Sequence, residues 1–262
     1  MTTACKNCNS SFKGNFCHNC GQSAKTHRLD YHSIWHDIQH GLLHIDKGIF
    51  YTIIQLFTRP GHTIREYLEG KRLKHFKPVS LVIILATIYA LLNHYLHIDL
   101  ITAAENKISI KNFGLDLQFQ ITQGSENPLA GVIRDFIDSH FALLQLLLLP
   151  FYAAASWLAF RKNGYNYIEH LVINAFLRGQ AFIIAIAMLP FIYFGIITGE
   201  VSSNIFTVLQ IICLFWVFVQ FFNTRNPFWV IKRSFLATLY FLAIVLVTVL
   251  IAIIIINILE FL

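Results

Sequence analysis

Five long segments of apolar residues constrain the fold of this chain more than any other feature of its sequence. A helix needs about 20 apolar residues to cross the roughly 30 Å of hydrocarbon in a bilayer, and it satisfies its own backbone hydrogen bonds on the way. We therefore predict an all-α, polytopic helical membrane protein with about five transmembrane helices. The predicted spans are 79–96, 141–160, 181–198, 205–222 and 235–259.

The composition agrees with a membrane protein. Of the 262 residues, 56% are hydrophobic and 13% are charged, whereas a soluble domain carries about 25% charged residues. These values exclude a disordered chain, a disulfide scaffold and an ordinary soluble enzyme. The formal net charge is nevertheless +6, so the basic residues must be concentrated outside the apolar segments.

The basic residues fall mainly on one side of the predicted spans. If the five segments alternate in direction, 17 of the 20 Lys and Arg residues share the side of the N-terminus with six acidic residues. The other side then has three basic and eight acidic residues. The positive-inside rule puts the basic side in the cytoplasm. We expect a multi-pass protein of the inner membrane, with the N-terminus in the cytoplasm and the C-terminus outside.

Four of the five cysteines form two C-x2-C pairs near the N-terminus. Cys5 and Cys8 are separated by eight residues from Cys17 and Cys20. Four thiolates at this spacing are typical of a closed tetrahedral zinc site, which has a structural rather than a catalytic role. A pair of disulfides is the alternative, and the reducing cytoplasm argues against it. Residues 1–24 are therefore predicted to be a zinc ribbon, stabilised by zinc because so short a segment has little core.

The ribbon has two possible roles. It is either a cap packed on the membrane domain or a docking site for a cytoplasmic protein partner. Nucleic acid is disfavoured, because only Lys6 and Lys13 supply positive charge within the ribbon. The fifth cysteine, Cys213, lies in a predicted span and is expected to pack as a small apolar residue.

Residues 25–77 are predicted to form helices that lie at the cytoplasmic interface without crossing the membrane. Apolar residues recur at helical spacing within 31–58, but the charged residues and histidines make this segment too polar to span. We expect this helix to stop at 59–61 and a shorter helix to follow at 63–72. Residues 78–262 are then the transmembrane domain.

Basic residues cluster just before the first predicted span. They are either a topology signal or a site for lipid headgroups or phosphate, with membrane lipids as the partner. The candidates for lipid or phosphate binding are Lys71, Arg72, Lys74, Lys77 and Arg178.

In the loop 97–140, apolar residues alternate after a turn-like sequence at 111–114, which predicts a β-hairpin. Residues 129–140 then resemble an amphipathic lead-in to the second span.

Four histidines recur at intervals of four residues in the interfacial segment: His32, His36, His40 and His44. Histidines at i and i+4 can share a metal, so His36 and His40 are candidates for a second metal site. Their sequence, His-Asp-Ile-Gln-His, lacks the Glu of a zinc protease, and no third ligand is evident. The alternative is a stripe facing solvent or headgroups, which would bind the membrane more strongly under mild acid.

Glu169 and His170 are the weak candidates for catalytic residues. We place them in the second cytoplasmic loop, just before the third span, where a Glu–His pair could do acid–base chemistry. An interfacial loop is also where ionisable residues are least costly, which favours a structural role. If there is a reaction centre, we expect this pair to face Lys71, Arg72 and the helix of His36 and His40.

Several short motifs give the chain a resemblance to a known family. They are 16–22, 46–48, 51–52, 59–61, 67–72, Pro78 and 166–172. In this order they resemble an uncharacterised bacterial family of multi-spanning membrane proteins with an N-terminal zinc ribbon, a domain of unknown function. The resemblance extends from Cys5 to about Phe182. One difference is at His75-Phe76, where the family would have an aromatic residue such as Tyr closer to the proline. It implies zinc, a membrane location and this topology, but no reaction.

We therefore favour an accessory, regulatory or scaffold protein with a zinc-stapled cytoplasmic head, and whether the chain is an enzyme stays open. One alternative is a lipid-modifying enzyme at the cytoplasmic interface. Another is a small transporter or lipid carrier, which would require charged residues or broken helices within the membrane. Pro150 and Pro190 could break helices, but the five predicted spans contain no charged residue.

Overall fold

The structure is a computed structural model that describes residues 2–24, 26, 28–31, 48–96, 107–110, 117–120, 140–223 and 226–261. Short strands β1 and β2 precede two short helices, α1 and α2, and a long helix, α3. A second strand pair, β3 and β4, precedes four further long helices, α4 to α7. The bounds are β1 Thr3–Ala4, β2 Ser11–Phe12, α1 Gly48–Thr58, α2 Pro60–Glu69, α3 Pro78–Leu96, β3 Lys107–Ile110, β4 Leu117–Gln120, α4 Phe141–Phe160, α5 Tyr167–Tyr193, α6 Gly199–Phe222 and α7 Pro227–Phe261.

Five helices in the described part of the chain are long and apolar enough to cross a membrane, as predicted. These stretches are Pro78–Leu96, Ala142–Asn163, Tyr167–Tyr193, Asn204–Phe222 and Pro227–Ile251. The protein is thus mostly helical, with five candidate membrane spans and a four-cysteine cluster on a small N-terminal β-hairpin.

The third span was predicted at 181–198, but its helix begins earlier, at Tyr167, and ends at Tyr193. Asn166 caps the start: its side chain accepts a hydrogen bond from the Glu169 N–H, and the Glu169 carboxylate accepts one from the Asn166 N–H. This reciprocal capping box starts a helix within a polar stretch that we had interpreted as a loop. At the other end, Gly195 adopts a φ of 67° and turns the chain.

The fifth span was predicted at 235–259, whereas α7 extends from Pro227 to Phe261. Proline is favoured in the first turn of a helix because its missing N–H would have no partner there. The helix therefore includes Lys232 and Arg233, which lie outside the predicted span. Arg233 Nη1 donates to the Ala159 carbonyl at 3.1 Å.

Helix α5 lies at the centre of the helical core. In its span 56% of the residues are buried, compared with 11% in the span of α7. Gly179 lets α3 approach closely, because a Cβ atom there would lie 3.2 Å from the Leu81 side chain. Rings of α4, α6 and α7 close the end of the bundle nearest the ribbon, where Phe160 stacks on Phe222 with centroids 4.5 Å apart.

Helix α1 ends at Thr58, so the predicted stop at 59–61 is confirmed. Helix α2 was predicted at 63–72, but it begins at Pro60 and ends at Glu69. In α1, Phe50 and Ile54 are 74% and 59% exposed, so the outer face of this helix is apolar rather than polar. The predicted helix at 31–58 is described only over Gly48–Thr58, and residues 32–47 lie outside the described part.

The hairpin predicted in the loop 97–140 is confirmed. Strands β3 and β4 pair antiparallel, with Lys107 opposite Gln120 and Ile110 opposite Leu117. The amphipathic lead-in expected at 129–140 falls outside the described residues, apart from His140.

Candidate metal centre and the end of the helical domain that holds it

The four ribbon cysteines come together as the spacing predicts. The sulfur atoms of Cys5, Cys8, Cys17 and Cys20 all lie within 4.8 Å of one another. Cys5 Sγ is 3.5 Å from Cys20 Sγ, and Cys8 Sγ is 3.6 Å from Cys17 Sγ. All are free thiols, so the alternative pair of disulfides is not formed.

Each C-x2-C pair is held by the same backbone turn. The Asn9 N–H donates to the Cys5 carbonyl at 2.9 Å, and the Gly21 N–H donates to the Cys17 carbonyl at 2.8 Å. Asn9 and Gly21 have φ values of 59° and 79°, a left-handed conformation that asparagine and glycine adopt at least cost. The two turns therefore present both pairs of thiols to one point.

The donor set fits zinc. Tetrahedral coordination with Zn–S bonds of about 2.3 Å separates the sulfur atoms by about 3.8 Å, close to the two distances above. Hydrogen bonds from Ser10 lower the pKa of Cys8 to about 5, which favours its thiolate. Burial raises the pKa of Cys17 to about 11, so a bound cation would be needed to hold this residue as a thiolate at neutral pH.

The ribbon is attached to the helical domain through Gln22 and Gly70. Gln22 is 5% exposed, and its Nε2 donates to the Gly70 carbonyl at 2.7 Å. Gly70 ends α2 with a φ of 107°, and a Cβ atom there would lie 2.8 Å from Lys6 Cδ. Lys6 Nζ in turn donates to the Thr26 carbonyl at 2.6 Å. The ribbon therefore rests on the end of α2.

A second attachment joins the chain after the ribbon to the start of α5. Arg28 Nε lies 2.7 Å from Glu169 Oε1, and Arg28 Nη2 lies 2.6 Å from Glu169 Oε2. Arg28 Nη2 also donates to the Gly164 carbonyl, and Asn166 Nδ2 donates to the Leu29 carbonyl. The Glu169 side chain is only 6% exposed. We call this pair of residues, Arg28 and Glu169, the head clamp.

The head clamp changes the interpretation of Glu169 and His170. Both lie in the first turns of α5 rather than in a loop. Glu169 uses both carboxylate oxygens in structural contacts, to Arg28 and to the Asn166 N–H. His170 is fully buried, with Nδ1 3.0 Å from Ser156 Oγ. Structural contacts thus occupy both Glu169 carboxylate oxygens and His170 Nδ1, whereas His170 Nε2 is buried without a hydrogen-bond partner among the described residues.

The basic residues before the first span surround Glu66. Lys71 Nζ lies 3.6 Å from Glu66 Oε1, and Arg59 Nη2 lies 3.3 Å from Glu66 Oε2. Arg72 Nε donates to the Tyr67 carbonyl at 3.2 Å, and its guanidinium stacks over the Tyr67 ring. These contacts of Lys71 and Arg72 are within this segment, and Glu169 is paired with Arg28 instead. His36 and His40 lie outside the described residues.

His75 is buried beside Glu66. Its side chain is 3% exposed, and Nε2 lies 4.0 Å from Glu66 Oε2. The Tyr51 and Tyr67 rings pack against it at centroid distances of 5.3 and 6.3 Å. Burial lowers the pKa of His75 to about 4, although the negative charge of Glu66 opposes the shift. His75 is therefore neutral at physiological pH.

Arg178 lies apart from the other candidates for lipid binding. It is within α5 and lines a cavity of about 350 Å³ among α4, α5, α6 and α7. Its guanidinium stacks over the Tyr152 ring, with Cζ 4.4 Å from the ring centroid. The third predicted span, 181–198, contains no charged residue, but the helix that forms this span begins at Tyr167 and therefore includes Arg178.

A comparison with protein families matches residues 46–90, which cover α1, α2 and the first turns of α3, to a family described as "Protein of unknown function (DUF3667)". The chain is similar to this family over that segment, which we call the DUF3667 segment. The predicted resemblance to an uncharacterised family is confirmed, although the match covers a shorter segment than the motifs we had compared. No curated protein and no solved structure matches the chain.

The DUF3667 segment contains the close contacts that hold α1 and α2 in place. Thr52 Oγ1 donates to the Gly48 carbonyl at 2.8 Å and accepts from the Phe76 N–H at 2.7 Å, which ties α1 to the start of α3. At Gly61, a Cβ atom would lie 2.4 Å from the Phe221 nitrogen. The motifs at 46–48, 51–52 and 59–61 thus include residues at points of close backbone approach.

The DUF3667 segment also caps α6, a role that our sequence analysis missed. Arg65 Nε donates to the Phe221 carbonyl at 2.9 Å, and Arg65 Nη2 donates to the Gln220 carbonyl at 2.6 Å. A cation at the C-terminal end of a helix satisfies its last carbonyls and stabilises its dipole. Arg65 and Phe221 are 156 residues apart, so no local pattern indicates this pair.

Proposed function

We propose that this protein is an accessory or regulatory protein of a bacterial inner membrane, with a zinc-stapled head on the cytoplasmic side. The head clamp carries the proposal. It joins the segment that follows the ribbon to the start of the central helix, α5. A partner that binds the ribbon therefore acts on α5 through these contacts. The contacts of Glu169 to Arg28 and to the Asn166 N–H support a structural role for this residue over a catalytic one.

The distribution of charge supports a cytoplasmic head. Among the residues that the structure describes, every Lys and Arg except Lys107 and Arg178 lies in the ribbon, in the segments that hold it, or in the helix ends beside them. By the positive-inside rule, this end of the bundle faces the cytoplasm. The position of Arg178 lowers the number of basic residues assigned to that side from 17 to 16, and the asymmetry remains.

Zinc is the metal that we expect in the ribbon. Metal analysis of the full-length protein, purified in a mild detergent, should find one zinc per chain. Cys17→Ser should abolish zinc binding, since three thiolates and a hydroxyl hold the ion poorly. Cys213→Ser is the matched control and should retain it, because Cys213 lies in α6, outside the ribbon. Purified protein without zinc, or with disulfides between the four cysteines, would contradict the zinc proposal.

The exposed surface of the ribbon around Phe16 is the proposed docking site for a cytoplasmic protein. Phe16 is 66% exposed, and Lys13 and His18 are exposed as well. Exposed aromatic rings are frequent anchors of protein interfaces. We do not extend the proposal to nucleic acid, because the described ribbon has few basic residues.

Photocrosslinking in cells tests this role. Benzoylphenylalanine in place of Phe16 should give a discrete adduct with a soluble protein. The same group in place of Phe194 is the matched control, because Phe194 is an equally exposed ring, at 73%, in the turn after α5. If the adducts from the two positions are the same, or if neither position captures a soluble protein, the accessory role is refuted.

A further inference from the structure

The cavity among α4, α5, α6 and α7 contains a charge within a membrane span. Arg178 is the twelfth residue of α5, about 17 Å along the axis at a rise of 1.5 Å per residue. Its Nε and Nη1 atoms are shielded from solvent. Ionisable residues are rare within membrane spans because their desolvation is costly, and they usually mark the binding of a ligand or ion.

Three other side chains of the cavity wall contribute buried hydrogen-bond donors. The Tyr152 hydroxyl, Gln210 Nε2 and Ser234 Oγ are buried without a hydrogen-bond partner among the described residues. All three residues line the cavity together with Arg178. Each of these atoms can donate a hydrogen bond, and a buried donor without an acceptor is unfavourable. The three side chains come from three different helices, α4, α6 and α7, so the packing of the bundle brings them together.

A cation with several hydrogen-bond donors is complementary to an oxyanion. Arginine binds phosphate and carboxylate groups through two parallel hydrogen bonds, and the additional donors suit phosphate, which presents more acceptor oxygens. The volume of about 350 Å³ is within the range of small-ligand sites. Apolar side chains, among them Leu214, Phe215 and Phe235, form much of the remaining wall and suit a hydrocarbon group next to the anion.

We propose that this cavity binds a phosphate group, with Arg178 as the cation and Tyr152, Gln210 and Ser234 as hydrogen-bond donors. The phosphate belongs either to the headgroup of an anionic membrane lipid or to a free anion. This site gives a specific basis to the alternative of a lipid carrier or small transporter. It is independent of the zinc ribbon, which contributes none of the residues that line it.

Native mass spectrometry of the full-length protein in neutral detergent tests whether the cavity binds the headgroup of an anionic lipid. The lipids are dioleoyl phosphatidylglycerol and, as the uncharged reference, dioleoyl phosphatidylcholine. We expect one phosphatidylglycerol molecule to bind more tightly than phosphatidylcholine. Arg178→Gln and Gln210→Leu should each weaken binding, the former about tenfold or more because charge-assisted hydrogen bonds are lost. Arg233→Gln is the matched control, since Arg233 lies in α7 but contacts Ala159 and Trp229 instead.

Calorimetric titration with inorganic phosphate tests whether the ligand is instead a free anion. Binding of phosphate that Arg178→Gln abolishes, without preference for phosphatidylglycerol, would support the site and identify the ligand as a free anion. If Arg178→Gln aggregates, Gln210→Leu decides, because it changes a donor without removing the charge. The proposal is overturned if the wild-type protein prefers neither ligand over phosphatidylcholine, or if the variants that fold bind as the wild type does. Metal content should be the same in all variants, which separates this test from that of the ribbon.

Discussion

The head clamp makes a quantitative prediction about how strongly the ribbon segment is coupled to the bundle. Two short hydrogen bonds join Arg28 to Glu169, and the two side chains are 59% and 6% exposed. An exposed ion pair contributes about 0.2 to 1 kcal/mol, whereas removing one partner of a buried pair costs about 3 to 5 kcal/mol. Because only Glu169 is buried, we expect a coupling energy of about 2 kcal/mol, or roughly 30-fold in the equilibrium.

A double-mutant cycle measures this coupling. Arg28→Ala removes the cation, and Glu169→Gln removes the charge while keeping an oxygen for the Asn166 N–H. The free energy of unfolding is obtained for the wild type, both single variants and the double variant, by titration of the full-length protein with SDS in mixed micelles. The interaction energy is the part of the double change that the two single changes do not explain.

The pair of Lys71 and Glu66 is the control for this cycle. Its atoms are 3.6 Å apart and its side chains are 39% and 25% exposed, so the same analysis should give less than about 0.5 kcal/mol. A coupling energy between Arg28 and Glu169 no larger than that of the control pair would refute the clamp. Hydrogen exchange at 164–170 should also increase in Arg28→Ala, because the cap of α5 loses its charged partner.

Two further predictions concern the DUF3667 segment. Gly61→Ala should lower the free energy of unfolding by about 1 to 3 kcal/mol, because the new Cβ atom would lie 2.4 Å from the Phe221 nitrogen and force α2 away from α6; an unchanged SDS midpoint would contradict this. His75 should make stability depend on pH: its pKa is about 4 when folded and 6.5 when unfolded, so the unfolded chain binds more protons between these values. Stability from this residue is therefore complete above about pH 6.5 and is lost as the pH falls toward 4, by up to about 3 kcal/mol. His75→Phe should flatten this part of the profile, and a variant with the same acid sensitivity as the wild type would show that another group is responsible.

The five candidate spans and the clustering of the four ribbon cysteines could be predicted because each depends on a short stretch of chain. The four ribbon cysteines lie within 20 residues of the N-terminus, and their spacing restricts the turns that can join them. The hairpin at 107–120 was predicted for the same reason, since alternation along a strand is a local pattern. The start of α5 was missed although its signal was also local. Asn166 and Glu169 have the spacing of a capping box, but they lie in a polar stretch before the apolar span and were therefore interpreted as part of a loop.

The contacts between distant segments could not be predicted in this way. Arg28 and Glu169 are 141 residues apart, and the sequence analysis instead expected Lys71 and Arg72 to face Glu169. Arg28 on one side and Lys71 and Arg72 on the other all have the charge needed to pair with Glu169. The position of the ribbon on α2 determines that Arg28 is the partner. Arg178 illustrates the same limit, because its role depends on which helices surround it.

The sequence by itself determined that the chain has five apolar helices of membrane-spanning length, a four-cysteine head and a basic side. These properties follow from the length of apolar runs, the spacing of thiols and the distribution of charge, none of which requires knowledge of the packing. The tertiary structure decided that Glu169 anchors the head and that Arg178 lines a cavity together with Tyr152, Gln210 and Ser234, whose donors have no partner among the described residues. The reason is physical: the partner and solvent exposure of a side chain depend on how helices pack across the whole chain, whereas a helix or a metal-binding turn is specified mainly by its own residues.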